Sequence, residues 1–247
     1  MSEHEITDYG EYWAPHYDDI HDEVGEETRL LKELAGDPPR ALELGVGTGR
    51  VAIPLSRAGV KVTGIEVSDD MISLLRTKPG GDEIEIIQGD FADVAVDQTF
   101  PLICVPFNTL FSLVTQERQV ECFQNAAHAL EPGGRFVLDA FMPDMDRYDD
   151  HNTRIGVSSI SSNRAHGYEL SIHDPATQKV MSHLVKRLED GSTVVLPVTI
   201  RYSWPSEMDL MARLAGLELE NRYAWYDKRP FTDTSGQHVS VYRKPLT

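Results

Sequence analysis

Ala41-Leu42-Glu43-Leu44-Gly45-Val46-Gly47-Thr48-Gly49-Arg50 is the stretch that decides how this chain folds. A short apolar run of the kind that makes a buried strand ends in a three-glycine turn, and a helical pattern follows. Glycine lets the backbone come close to a ligand, while a helix start offers unpaired N–H groups and a positive dipole end. The spacing is G-x-G-x-G, unlike the G-x-G-x-x-G/A of dinucleotide folds. Glu43 stands two residues before the first glycine, where a carboxylate suits a ligand ammonium and would repel a diphosphate.

Working outward, Gly64-Ile65-Glu66-Val67-Ser68 ends a second apolar run. An acid there, seventeen residues beyond Gly49, can take both hydroxyls of a ribose in a two-point grip; its other reading is a solvated surface acid. Gln88-Gly89-Asp90-Phe91 follows a third run. Gly89 permits close backbone approach, and Asp90 can accept a hydrogen bond from an adenine amino group or simply cap a loop. Met71 can pack on an adenine face or fill the core.

Strands are predicted at 40–44, 61–66, 84–88, 102–105 and 134–140, with helices near 26–36, 50–58, 69–76 and 116–130 between or before them. Apolar strands alternating with helices give a parallel sheet of right-handed βαβ units. The pattern changes after Met142. Two or three extended segments over 154–203, with turn signals at His173-Asp174-Pro175 and Glu189-Asp190-Gly191, read as an antiparallel insertion. A helix over 205–215 and strands at 217–224 and 239–243 close the chain. The expected organisation is an N-terminal cap with one short helix over 1–25, a Rossmann-like core over 26–142, an insertion acting as a lid over 143–204, and a C-terminal helix with the last two core strands over 205–247.

The run from Glu43 to Ala140, with its Glu131-Pro132-Gly133-Gly134 turn, resembles the class I S-adenosylmethionine-dependent methyltransferases. The resemblance implies an α/β fold: a seven-stranded, mostly parallel sheet with helices on both faces and its last strand antiparallel. It also implies that the glycine turn touches the methionine end of S-adenosylmethionine, Glu66 the ribose and Asp90 with its neighbours the adenine. Asn108-Thr109-Leu110-Phe111, Trp204-Pro205, the segment 210–217 and Pro230-Phe231-Thr232 resemble a branch from bacterial secondary metabolism, near the cypemycin N-terminal methyltransferase and sugar-amine N,N-dimethyltransferases. The expected cofactor-binding set is Tyr17, Glu43, Gly45, Gly47, Gly49, Glu66, Val67, Met71, Gly89, Asp90, Phe91, Pro106, Phe107 and Asn108.

Methyl transfer from a sulfonium is an in-line displacement in which the protein mainly aligns the reactants and excludes water. Tyr12, Trp13, Phe111, Phe141, Met142 and Trp204 are the expected acceptor contacts. A hydroxyl acceptor gains from a general base, for which His173, His183, Asp144 and Tyr17 are candidates, each with a structural reading beside it. Competing readings are a sugar-amine N-methyltransferase, a nicotinamide-dependent dehydrogenase, disfavoured by the glycine spacing, and a non-catalytic S-adenosylmethionine-binding protein.

The formal net charge of −17 argues against nucleic acid and anionic membrane surfaces as partners. No stretch approaches the roughly 20 apolar residues of a membrane helix, and the acidic start is unlike a signal peptide. Cys104 and Cys122 lie among apolar residues with no metal-ligand spacing, as in a cytoplasmic protein. The expected acceptor is a small molecule or short peptide, the expected metal none, and a homodimer is the default assembly.

Overall fold

The computed structural model describes residues 4–20, 25–93, 95–160, 165–188 and 191–246. At its centre is β1 (Arg40–Leu44), buried from Ala41 to Leu44. Around it run β2 (Lys61–Glu66), β3 (Glu85–Gln88), β4 (Phe100–Val105), β5 (Leu130–Phe141) and, later in the chain, β10 (Glu218–Tyr223) and β11 (Gln237–Arg243). The sheet order is β10-β11-β5-β4-β1-β2-β3, and only β11 runs against its neighbours. The α/β, Rossmann-like, seven-stranded fold expected from sequence is the one observed.

Alternation along the strands sorts side chains into two layers. Leu42 and Leu44 face a cluster with Phe123 and Ala126 of α6 (Gln116–Ala129) and Met208 and Met211 of α7 (Pro205–Leu214). Ala41 faces the other cluster, with Leu30 and Leu31 of α3 (Glu26–Leu34) and Ile53 and Leu55 of α4 (Ala52–Arg57). Each large apolar side chain so buried contributes about 1.5–3 kcal/mol. Ser68 caps α5 (Asp69–Thr77) by accepting from the Met71 N–H, and Thr115 caps α6 from the Arg118 N–H. After β3 the chain crosses back to the far side of β1, so the C-terminal ends of β1 and β4 flank the switch point at which ligands bind in open α/β sheets.

Two segments differ from the sequence reading. The extended region holds four strands rather than two or three: β6 (Thr153–Ile160), β7 (Ala165–Asp174), β8 (Lys179–Arg187) and β9 (Thr193–Arg201), paired in order as a separate antiparallel sheet. Among its described residues the N-terminal cap has two helices, α1 (His4–Trp13) and α2 (Tyr17–Ile20), joined by a single 3-10 turn.

Candidate active site

The turn after β1 is built on left-handed backbone: φ is +70° at Gly45, +55° at Gly47 and +80° at Gly49. The Gly45 and Val46 N–H groups both donate to the Ile65 carbonyl, which ties the turn to β2. A Cβ placed at Gly45 would strike Thr109 Cγ2 at 2.6 Å, whereas one at Gly47 would find no heavy atom within 4 Å. The need for glycine at 47 therefore comes from backbone conformation and not from the protein's own packing.

Two acids flank this turn, and they are engaged differently. Glu66 uses both carboxylate oxygens: Oε2 accepts from the Gly47 N–H at 2.8 Å, and Oε1 accepts from the Val67 and Ser68 N–H groups at 3.0 Å. A carboxylate has about four acceptor positions, so one remains. Burial pushes the Glu66 carboxyl up, against the pull of those three N–H bonds. Glu43 is 2% exposed, and its Oε2 has no hydrogen-bond partner. Burial raises its pKa to about 8, although the Arg50 charge pulls it down. An unpaired buried acceptor is costly in a folded protein and marks a group made for something else.

Arg50 is the residue that the sequence reading quoted without a role. Its guanidinium lies 4.1 Å from the centre of the Phe107 ring and 3.7 Å from Glu27. A buried acid and a cation, from the two ends of the glycine turn, thus interact with each other. Phe107 and Asn108, after β4, both hold positive φ, +63° and +58°. For phenylalanine that is an outlier, which the surroundings must enforce. Asp139 does so by accepting from the Phe107 N–H at 2.7 Å and the Tyr226 hydroxyl at 2.6 Å. Burial moves the Asp139 carboxyl up to about 6. Asn108 Oδ1 accepts from the Phe141 N–H at 2.7 Å, and Pro106 accepts from Thr109.

The N-terminal segment closes over the turn. Gly10 rests so near Ser68 that a Cβ there would lie 1.9 Å from Ser68 Oγ. Trp13 stacks on Tyr9, and its indole N–H donates to the Pro197 carbonyl of β9 at 2.7 Å. Asp18 accepts from Thr48 Oγ1 at 2.7 Å and pairs with Lys78, which also donates to the Thr48 carbonyl. The Tyr17 hydroxyl is raised to about 12 by burial, and the nearby Arg50 opposes that shift.

Other expected residues are placed differently. Asp90 is engaged by the Ala92 N–H and by Arg118 at 2.7 Å. Phe91 packs in the core beneath Gly45, and Met71 fills an apolar cluster with Trp13, Leu184 and Leu196. Gly89 is bonded through its N–H to the Glu66 carbonyl. Phe111 is 0% exposed and stands edge-on to Phe141. Tyr12 is exposed, Trp204 is partly exposed against Tyr202, and the Met142 N–H is bonded to Gly236.

A pocket of about 140 Å³ lies between the loop after β5 and the inner face of the second sheet. Phe141, Asp144, Tyr148, Glu169, Ile200 and Tyr202 are among its walls. The base candidates stand in different surroundings. His183 is exposed on the outer face of the second sheet. His173 is buried, stacked on Tyr148 and bonded to the Tyr202 hydroxyl, with burial lowering its pKa. Asp144 caps a short 3-10 turn. Among the described residues no group of His, Cys, Asp and Glu is arranged to hold a metal ion, and no helix is long and apolar enough to cross a membrane.

Residues 41–134 match a family model described as a methyltransferase domain. The structure of the CcbJ methyltransferase from Streptomyces caelestis is 37% identical, over 98% of this chain and 99% of that one, with a TM-score of 0.88. The chain belongs to the S-adenosylmethionine-dependent methyltransferases. The methyltransferase is also 28% identical to the cypemycin N-terminal methyltransferase of Streptomyces sp over 210 residues, 84% of each chain. Its fold is that of CalS10, an amino pentose methyltransferase from Micromonospora echinaspora with S-adenosylmethionine bound, at 17% identity, TM-score 0.65 and coverage of 99% and 97%.

The residues present suit that cofactor. An unpartnered buried carboxylate oxygen on Glu43 fits the ammonium of a methionine group, and Arg50 beside it fits the carboxylate. The side of Gly47 free of protein atoms gives the backbone room to meet a ligand.

Proposed function

We propose that this methyltransferase methylates an amine nitrogen of a small molecule or short peptide in bacterial secondary metabolism. The observation that carries the reading is the pocket of about 140 Å³ between the loop after β5 and the second sheet, which we read as the acceptor site: its tyrosines and Glu169 are poorly suited to take a proton near neutral pH, and its Asp144 caps a turn by accepting from the Asp146 N–H. Tyr148 and Tyr202 are pushed upward by burial, and so stay protonated. Glu169 accepts from Ser171, Ser182 and Arg154, which hold it below the usual carboxylate range against the opposing effect of burial. An amine that arrives unprotonated needs no base, whereas a hydroxyl would. The likeness to the cypemycin N-terminal methyltransferase supports the same class of acceptor.

S-adenosylmethionine, when bound, supplies a methyl group already activated by its sulfonium sulfur. Glu43 and Arg50 hold the amino-acid end, Glu66 receives a ribose hydroxyl at its remaining acceptor position, and Gly47 lets the backbone come close. Tyr9, Trp13 and Tyr17 close the site against water, which removes competing solvent from the reaction. Phe141 and the turn at 107–108 set the direction of approach, and orientation of this kind can supply about 7–11 kcal/mol.

Two measurements test this. Calorimetry with S-adenosylhomocysteine should show tight binding to the wild type. Gly47→Ala should lose most of that affinity while its unfolding free energy falls only by the left-handed strain of about 1–2 kcal/mol, because the added methyl meets no protein atom. Unchanged affinity would take the turn out of the site. A screen with radiolabelled cofactor over amines, phenols, carboxylic acids and short peptides should label amines; label confined to phenols or acids overturns the acceptor assignment.

A further inference from the structure

The inner face of the second sheet is apolar along most of its length, through Val180, Leu184, Leu196, Val198 and Ile200. A polar group interrupts it. Glu169 of β7 and Ser182 of β8 line the pocket beside Phe141, Tyr148 and Tyr202, and the turn Met145–Arg147 after β5 adds Arg147.

The two cations near Glu169 are held very differently. Arg154 of β6 crosses Gly156, where a Cβ would lie 2.5 Å from the guanidinium, and donates to Glu169 Oε2 at 2.8 Å. Ser171 and Ser182 donate to Oε1, both at 2.9 Å. Those bonds leave about one acceptor position on the carboxylate. Arg147 does not use it. Its Nη2 stands 3.7 Å from Glu169 Oε2, beyond hydrogen-bond range, and its guanidinium is 5.8 Å from the centre of the Tyr148 ring. Among the described residues, no acceptor takes a hydrogen bond from that guanidinium.

The Arg147 side chain is 35% exposed, so solvent reaches its donors. A ligand that fills a space of about 140 Å³ removes that solvent, and a guanidinium then left without an acceptor is costly. The ligand must therefore bring the acceptor itself. Its chemistry can be narrowed. A cation would find Glu169 engaged by Arg154 and the serines, Asp144 by the Asp146 N–H, and would face Arg147. A phosphate, close to doubly charged at neutral pH, would meet Glu169 and Asp144 in the same walls. A carboxylate carries one charge, is planar, and matches the guanidinium fork through two parallel hydrogen bonds.

We infer that the methyl acceptor carries a carboxylate besides its amine, and that Arg147 binds it. The inference rests on the reading of this pocket as the acceptor site. Phe141 links the pocket to the cofactor turn: it lines the one, while its N–H donates to Asn108, the neighbour of the Phe107 that lies against Arg50.

Matched acids and amides test it. Dialanine, trialanine and 6-aminohexanoic acid, each beside its carboxamide, are offered with radiolabelled cofactor. Their binding to the protein saturated with S-adenosylhomocysteine is measured by calorimetry. At least one acid is expected to be methylated with a KM about ten- to a hundredfold below that of its amide, at similar kcat. Arg147→Gln, with unchanged circular dichroism because Arg147 has no hydrogen bond to lose, should raise that KM to the value for the amide and leave the amide unaffected. Arg147→Lys should restore part of the preference. Acids and amides methylated equally well overturn the inference and leave the amine assignment standing. A preference that survives in Arg147→Gln also overturns it, as does a preference for amides. Should no member of the panel be methylated, binding decides: a tenfold preference for an acid that Arg147→Gln abolishes keeps the carboxylate site and counts against the amine assignment alone, whereas equal binding of acids and amides overturns the inference.

Discussion

Glu43 makes the folded state pH-dependent in a direction that can be worked out. Burial raises its carboxyl from 4.5 to about 8, with Arg50 opposing. Between those values the folded protein keeps a proton that the unfolded chain has lost. Its contribution to stability is therefore best at low pH, and falls by about 1.4 kcal/mol per unit as pH rises through the window. Glu43→Gln should remove that slope, so its melting temperature should gain on the wild type between pH 5 and 8. Cofactor binding has the opposite sign. An ammonium prefers the ionised carboxylate, so binding below pH 8 should expel a proton and tighten as pH rises towards 8, while the Gln variant binds weakly and without that trend. Calorimetry in two buffers of different ionisation enthalpy measures the proton; none released by the wild type would detach Glu43 from the ligand. Glu43 and Glu66 were legible in sequence because an acid at a fixed distance from a glycine turn has few alternatives. Arg50 was not, since an arginine opening a helix is ordinary until its guanidinium is seen above Phe107 and near the unpaired Glu43.

At the scale of an element, the turn from Pro106 to Thr109 is the part whose shape the sequence did not reveal. Two successive non-glycine residues with positive φ are unexpected from propensity, and they persist because Asp139, Tyr226 and the Phe141 N–H lie on distant stretches of chain. Asn108 is suited to its place twice, tolerating left-handed backbone and accepting from Phe141. Replacement separates the two. Asn108→Gly keeps the backbone freedom and loses the hydrogen bond, worth about 0.5–1.5 kcal/mol. Asn108→Ala loses both, and should be less stable than the glycine variant by about 1 kcal/mol in denaturant unfolding. Equal stability of the two would mean that the left-handed turn is not retained in solution. The second sheet was only partly legible for a related reason. Alternation announces strands, but the number of strands depends on turns, and of those only 173–175 and 189–191 carried clear signals.

Across the whole molecule, the N-terminal segment joins the two sheets: Gly10 lies on Ser68 at the end of β2, and Trp13 reaches the Pro197 carbonyl of β9. Any ligand held between the turn and this segment must wait for it to lift. The fastenings differ in strength. Asp18 and Lys78 are partly exposed, and such a pair is worth about 0–1 kcal/mol. Asp18→Asn, which keeps an acceptor for the Thr48 hydroxyl and loses only the ion pair, should therefore speed release of S-adenosylhomocysteine by no more than about fivefold, and added salt should imitate it in the wild type but not in the variant. Gly10→Ala acts on packing, since its methyl cannot fit within 1.9 Å of Ser68 Oγ. Release should then quicken well beyond the Asp18 variant and be indifferent to salt, while unfolding of the protein alone changes little, because the main core lies beneath α1. Stopped-flow tryptophan fluorescence can follow both, as Trp13 stacks on Tyr9 within that segment. Identical release rates in wild type and Gly10→Ala would show that the segment is not what holds the ligand in.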